Sequence, residues 1–417
     1  MAFDADSSSS SSCGGSGRLR RDSTSSWSSA TSTESDTSTE DEADDEQSAQ
    51  SGISPLAYLL LVLLLAVAGG LLIFFLEREH PEEAGGGGRG ETPATGSTKA
   101  TTAESSWAVT GAPAATAVPS DFLDSLAASF SMTPAALSSL PMPSSAMPSA
   151  SAANSFMQDK WSRTKGSGES LSFVEDPLDG GGGIVLESDY PKGSYSGASG
   201  MVGVGNMQMA VFGEGKQRAM VSYELTFSKG FDFVKGGKLP GLFGGDADSG
   251  CTGGRASESC FSLRLMWREH GAGEVYAYIP TFNGQCEGSA NASSVACHGD
   301  MGVSINRGSF VFEEGSWNTV TLIAILNSDP SPDGEANGVL ALYAGETRAI
   351  YLEDMVFRTN ASVVINAFIF STFFGGSTEE YAATADCSTY YRNVRFWEGD
   401  DPSTTAGKTV QAGIGET

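Results

Sequence analysis

Two stretches of strict alternation constrain this chain most: Phe261-Ser262-Leu263-Arg264-Leu265-Met266-Trp267 and Val275-Tyr276-Ala277-Tyr278-Ile279. In an extended strand successive side chains point to opposite faces. Ser262, Arg264, Met266 and Arg268 therefore share one side, and Leu263, Leu265 and Trp267 share the other. Tyr276 and Tyr278 point together, with Val275, Ala277 and Ile279 turned away from them. An aliphatic row facing a core and backed by hydroxyls, a guanidinium and phenols is how a β-sandwich presents a carbohydrate groove.

Composition divides the remainder sharply. Residues 1–52 are rich in Ser and carry an acidic run, Asp36, Glu40, Asp41, Glu42, Asp44, Asp45 and Glu46, with almost nothing apolar from which to build a core. They read as a disordered tail. Leu56 to Leu76 contains no charge and ends in Leu71-Leu72-Ile73-Phe74-Phe75-Leu76, so residues 53–76 read as a transmembrane helix. A cleaved signal peptide fits less well, because the apolar run is too long and no small-residue cleavage site follows it. Residues 77–158, with Gly85-Gly86-Gly87-Gly88 and a long Ala/Ser/Thr/Pro-rich run, read as a flexible stalk. Within it, Ser120, Asp121, Phe122, Leu123, Leu126 and Phe130 suggest a short helix, read as fraying in the stalk in preference to docking on the domain.

Residues 159–400 are long enough for one substantial core. Strand patterns occur at 219–227, 261–267, 275–279, 320–326, 339–343 and 363–374, separated by Gly, Asn, Asp and Pro clusters. With no comparable helical pattern, this spacing predicts an all-β antiparallel sandwich or barrel. Residues 401–417 read as a second disordered tail.

Several ordered motifs lie in this region: Tyr190-Pro191-Lys192-Gly193-Ser194-Tyr195, Gly236-Gly237-Lys238-Leu239-Pro240-Gly241 followed by Phe243-Gly244-Gly245, Cys260-Phe261-Ser262-x-Arg264-x-Met266-Trp267-Arg268, Gly315-x-Trp317-Asn318-Thr319-Val320, and Thr372-Phe373-Phe374-Gly375-Gly376-Ser377. Together they resemble polysaccharide lyase family 14, which includes alginate and glucuronan lyases and many fungal proteins. The resemblance covers the last part of the chain, and nothing before Asp159 shares in it. It implies a concanavalin-like β-jelly roll and β-elimination at a uronic acid in an acidic polysaccharide, with no cofactor.

The resemblance also implies a catalytic set of Lys238, Ser262, Arg264, Tyr276 and Tyr278. Arg264 suits a planar carboxylate, which it can pair in bidentate fashion. Lys238 adds a second charge, in a loop that its Gly-Gly pair brings close to ligand and that Leu239-Pro240 stiffens. A phenol ionises near pH ~10, so a tyrosine base needs a neighbouring cation. Tyr278 is favoured as base or shared base and acid, Tyr276 as its partner, and Ser262 as a donor that orients substrate. Which tyrosine does which task stays open. Taken singly, each of these residues would pass as an ordinary solvated strand residue.

Other polar residues carry less. His80, His270 and His298 are scattered, no metal-ligand spacing occurs, and Asp246 and Asp248 read as turn residues. Of the six cysteines, Cys251 with Cys260 and Cys286 with Cys297 form short loops that read as disulfides, and Cys387 has no near partner. Asn291-Ala292-Ser293 and Asn360-Ala361-Ser362 are glycosylation sequons. Arg78 and Arg89, after the apolar helix, would by themselves place the C-terminal side in the cytoplasm. The disulfide loops and sequons argue the reverse, a single-pass type II membrane protein with its domain extracellular or lumenal. The net charge of −27 excludes nucleic acid as a partner and is an unusual background for binding a polyanion. Lys235, Lys238, Arg264 and Arg268 supply local positive charge. The competing function is a non-catalytic carbohydrate-binding or cell-wall-associated membrane protein. Such a binder needs aromatic platforms, not a Lys, an Arg and two phenols together.

Overall fold

The computed structural model describes residues 111–415, apart from 116, 179–182, 197–202, 287–294 and 298–301. The expected acidic tail and membrane helix (53–76) and Asn291 lie outside the described residues. Among the described residues no helix is long and apolar enough to cross a membrane.

Two large sheets pack face to face. One contains, in spatial order, Ala112–Pro113, Val303–Val311, Ala272–Tyr278, Cys260–Trp267, Gly237–Gly245, Ile365–Phe374, Val204–Met209 and Arg163–Lys165. The other runs Thr347–Met355, Gly338–Ala344, Asn318–Ile325, Arg218–Phe227, Cys387–Gly399, Ile184–Tyr190 and Leu171–Glu175, and Thr133–Ser139 also pairs with the Cys387–Gly399 strand. Apart from the short parallel pairing of Ala112–Pro113, neighbouring strands in both sheets are antiparallel. This is the all-β, jelly-roll-like sandwich expected. Leu263, Leu265, Trp267, Val275 and Ala277 enter the core between the sheets, where Tyr223, Leu225 and Phe227 meet them. The alternation therefore reads correctly, residue for residue, because strand geometry fixes it locally.

Three expectations are corrected. Lys238 is not in a loop: it lies in the central strand Gly237–Gly245, paired on both sides. Proline, which has no N–H to donate, is confined within sheets to edges and bulges. Pro240 sits at a register shift between Leu239 and Gly241, and its carbonyl accepts the Tyr223 hydroxyl of the opposite sheet at 3.0 Å. The bulge lets Lys238 and Gly241 face the same side although they are three positions apart, an odd spacing. A Cβ on Gly241 would lie 1.9 Å from the Leu263 carbonyl oxygen, so only glycine tolerates this approach.

The second correction is to the stalk, which from residue 111 onward is folded onto the sandwich. The helix Ser120–Ser129 buries Leu123, Leu126 and Ala127 against Met220, Ile323, Val339 and Trp397, and Asp124 accepts from the Trp397 indole at 3.0 Å. A second helix, Ala150–Lys160, is capped by Ser149, whose hydroxyl accepts the Ala152 N–H at 3.2 Å. It buries Ala153 and Met157 in the main core beside Trp161. Third, the C-terminal residues expected as a tail form two short ribbons: Lys408–Thr409 pairs with Glu335–Ala336, and Ala412–Gly413 with Thr281–Phe282.

Candidate active site

On the outer face of the first sheet the cross-strand register assembles the polar residues in rows. Tyr276 lies opposite Arg264, and Tyr278 opposite Ser262. Met266 lies between Lys238 on one side and Glu274 on the other. These rows floor a cleft of about 730 Å³, lined by Lys238, Arg264, Arg268, Tyr276, Tyr278 and Arg307 among others. Four of the five residues expected for catalysis therefore converge here.

The fifth does not. Ser262 is fully buried, and its hydroxyl donates to the Cys251 carbonyl at 2.6 Å. It anchors the loop that forms one wall of the cleft. Both expected disulfides are present, Cys251–Cys260 and Cys286–Cys297. The first shapes the turn Thr252-Gly253-Gly254 that lines the cleft. Gly253 and Gly254 adopt φ of 62° and 81°, a left-handed conformation suited to glycine. Gly254 can thereby aim its N–H at the Tyr278 phenol oxygen, 2.8 Å away. The contact of this disulfide loop with the cleft runs through Tyr278.

Electrostatics divide the group. Lys238 is 9% exposed with no carboxylate partner among the described residues, its amine directed at the Met266 sulfur and lying 3.5 Å from the Tyr276 ring centroid. Burial, then the charges of Arg264 and Arg268, hold its ammonium well below the ordinary lysine value. Burial, then Tyr278, pushes Tyr276 above the ordinary phenol value. Arg264 is buried beneath the tyrosines, its guanidinium carbon 5.5 Å from the Tyr278 ring centroid. It makes one long bond, 3.3 Å, to the Ser371 hydroxyl, while Nε and Nη2 have no hydrogen-bond partner among the described residues.

Sequence reasoning missed Glu274 and Arg307. Glu274 is wholly buried and binds Arg268, Arg307 and Ser304. Burial alone would raise its carboxyl, but the two guanidiniums outweigh it and hold the value at about 2. An acidic residue inside an otherwise apolar strand was the signal available, since a buried carboxylate requires partners.

Other motif residues prove structural. Tyr190 and Thr372 meet in a buried hydroxyl cluster with Thr389 and Tyr391. Asn318 ties the turn before its strand through Glu313 and Ser316. Asp246 accepts from the Asp248 N–H and Ser249 hydroxyl, the turn role expected. Cys387 is unpaired and half-buried. Among the described residues no cluster of ligands suits a metal ion.

A two-sheet sandwich with cations and paired phenols in an open cleft is suited to an acidic carbohydrate, the ligand class of polysaccharide lyases. The comparisons with known proteins agree. Residues 179–394 match the family described as polysaccharide lyase 14, and the chain belongs to that family. It is similar to the crystal structure of the marine PL-14 alginate lyase from Aplysia kurodai, with 30% identity over 62% of this chain and 100% of that one and a TM-score of 0.51. An alginate lyase from Chlorella virus matches at 22% identity over 61% and 99% of the two chains, TM-score 0.47. The endo-β-1,4-glucuronan lyase of Trichoderma reesei matches at 12% over 57% and 90%, TM-score 0.37. No match was found among curated proteins.

Proposed function

We propose that this protein cleaves a uronic-acid-containing polysaccharide by β-elimination. The observation that carries the reading is the convergence of Lys238, Arg264, Tyr276 and Tyr278 on one cleft of a family 14 domain. Elimination removes the proton on the carbon beside the sugar carboxylate, breaks the neighbouring carbon–oxygen glycosidic bond, forms a carbon–carbon double bond, and returns a proton to the departing oxygen.

Arg264, a permanent cation under the tyrosines, stabilises the charge that develops as the proton leaves. Because it is 1% exposed, it acts from beneath, and the bidentate pairing expected from sequence gives way to a through-cleft electrostatic role. Tyr278 takes the proton: its phenol oxygen accepts the Gly254 N–H at 2.8 Å, and its ring lies over the Arg264 guanidinium in the cleft. Tyr276, held as a neutral phenol, supplies a proton to the leaving oxygen. An arriving uronate carboxylate gives Lys238 a counter-charge, which favours its ammonium form.

The test is to incubate the full-length purified protein with a panel of polyuronates and follow ultraviolet-absorbing unsaturated ends. Binding without any such ends would return the protein to the carbohydrate-binder reading. We further place the domain outside the cytosol. Two disulfides and an exposed Asn360, whose side chain accepts from Ser362, support that location, and the uncharged apolar run from Leu56 to Leu76 supports a membrane anchor at 53–76.

A further inference from the structure

Beyond the residues that act on the cleaved bond, the cleft holds a second cationic device. Glu274 Oε1 receives Arg268 Nε at 2.9 Å and its Nη2, while Oε2 receives Ser304 Oγ at 2.6 Å and Arg307 Nε at 2.7 Å. One carboxylate so orients two guanidiniums and leaves the trio with a net positive charge. The arginines differ in what remains available. Arg268 spends both Nε and Nη2 on Glu274 and its side chain is 13% exposed, whereas Arg307 is 29% exposed. Arg307 commits only Nε to the carboxylate, has a long 3.4 Å bond from Nη2 to Ser304, and Nη1 has no hydrogen-bond partner among the described residues.

The backbone is bent to deliver it. Opposite Glu274 the pairing of Val303–Val311 with Ala272–Tyr278 shifts register between Gly273 and Val275. In the looped-out stretch Asn306 has φ 51° and Gly308 φ 81°. Bulges of this kind re-aim side chains beside functional sites, and Asn and Gly are residues that adopt this left-handed backbone readily. Glu274 lies two residues from Tyr276 on the same strand face, roughly 6–7 Å away, on the scale of one sugar residue.

We propose that Arg307, oriented by Glu274, binds the carboxylate of a uronate adjoining the one that is cleaved, and so makes the cleft select chains with consecutive uronates. The inference rests on the lyase reading above. Arg307 contributes binding in ground state and transition state alike, and so governs KM in preference to kcat.

The experiment compares the parent with Arg307→Gln and Arg307→Lys, all as full chains. Steady-state kinetics are measured on a polyuronate. Affinity is measured by calorimetry on an oligouronate and on the same oligosaccharide with its carboxyls reduced, in a Tyr278→Phe background. The expected result is a KM raised about tenfold or more by Arg307→Gln, with kcat within about threefold and the preference for the carboxylated ligand largely lost. Arg307→Lys recovers part of both, since charge remains and the planar fork does not. Arg307→Lys also serves where Arg307→Gln does not fold, and a KM and ligand preference equal to the parent's would then overturn the proposal. Unchanged KM and ligand preference in Arg307→Gln overturn it while leaving the lyase reading intact. A fall in kcat at constant KM overturns it too, moving Arg307 to the chemical step. A parent that neither binds nor cleaves any polyuronate removes the lyase reading and this inference together.

Discussion

Gly254 donates its backbone N–H to the phenol oxygen of Tyr278 at 2.8 Å, and the turn that carries Gly254 is closed by the Cys251–Cys260 disulfide. The loop is thus a wall of the cleft as well as a crosslink. Replacing both cysteines by serine should lower stability by about 2–3 kcal/mol and lower turnover on a polyuronate by more than it lowers affinity. Thermal unfolding and kinetics of the double variant check both parts. A variant that melts earlier yet turns over like the parent would separate the loop from catalysis.

Tyr278→Phe and Tyr276→Phe each remove one oxygen while keeping the ring and its packing. Both should leave oligouronate affinity within about threefold of the parent and reduce elimination by roughly 10² or more. Arg264→Ala and Lys238→Ala should also reduce turnover by about 10² or more, through loss of charge stabilisation. Parental rates in both tyrosine variants and their double would place the chemistry elsewhere.

Lys238 is held below its ordinary value by burial and by the charges of Arg264 and Arg268, and on the proposed function a bound uronate carboxylate counters that effect. Binding therefore takes up a proton, and affinity should fall as pH rises through the depressed value. Calorimetry in buffers of different ionisation enthalpy should show net proton uptake near that pH, and Lys238→Met should abolish it. Equal heats in all buffers would contradict this linkage.

Glu274 is lowered from 4.5 to about 2, so the folded state holds the ionised form more strongly than the unfolded chain does. Its contribution is full above the unfolded value and is lost as pH falls from about 4.5 toward 2, amounting to about 3 kcal/mol. Glu274→Gln should flatten that part of the stability curve and, by leaving Arg268 and Arg307 without their buried partner, destabilise the protein near neutral pH by about 3–5 kcal/mol. Denaturant unfolding across the pH range measures both.

The helix Ser120–Ser129 is part of the sandwich. Leu126→Ala should lower stability by about 2 kcal/mol or more, and a chain starting at residue 159 should melt well below one starting at residue 111, having lost Leu123, Leu126, Ala153 and Met157 from its cores. Equal melting temperatures would restore the stalk reading.

The sequence alone determined the two alternating strands and which of their faces carries Arg264, Tyr276 and Tyr278, because period-two geometry is a property of the local backbone. It also determined both disulfides, since Cys251 with Cys260 and Cys286 with Cys297 are separated by only 9 and 11 residues. Tertiary structure decided the rest. Lys238 lies in a central strand because the Pro240 bulge is held by Tyr223 from the opposite sheet, a contact with no local signal. Ser262 lies under the loop and not in the cleft because its partner, the Cys251 carbonyl, is 11 residues away. The Ala- and Ser-rich segment read as a linker folds because a few apolar side chains find Met220, Ile323, Val339 and Trp397. That receiving surface exists only once the second sheet has formed. Glu274 acquires its meaning from Arg268 and Arg307, 6 and 33 residues distant, since a buried charge is tolerable only where the fold gathers its partners.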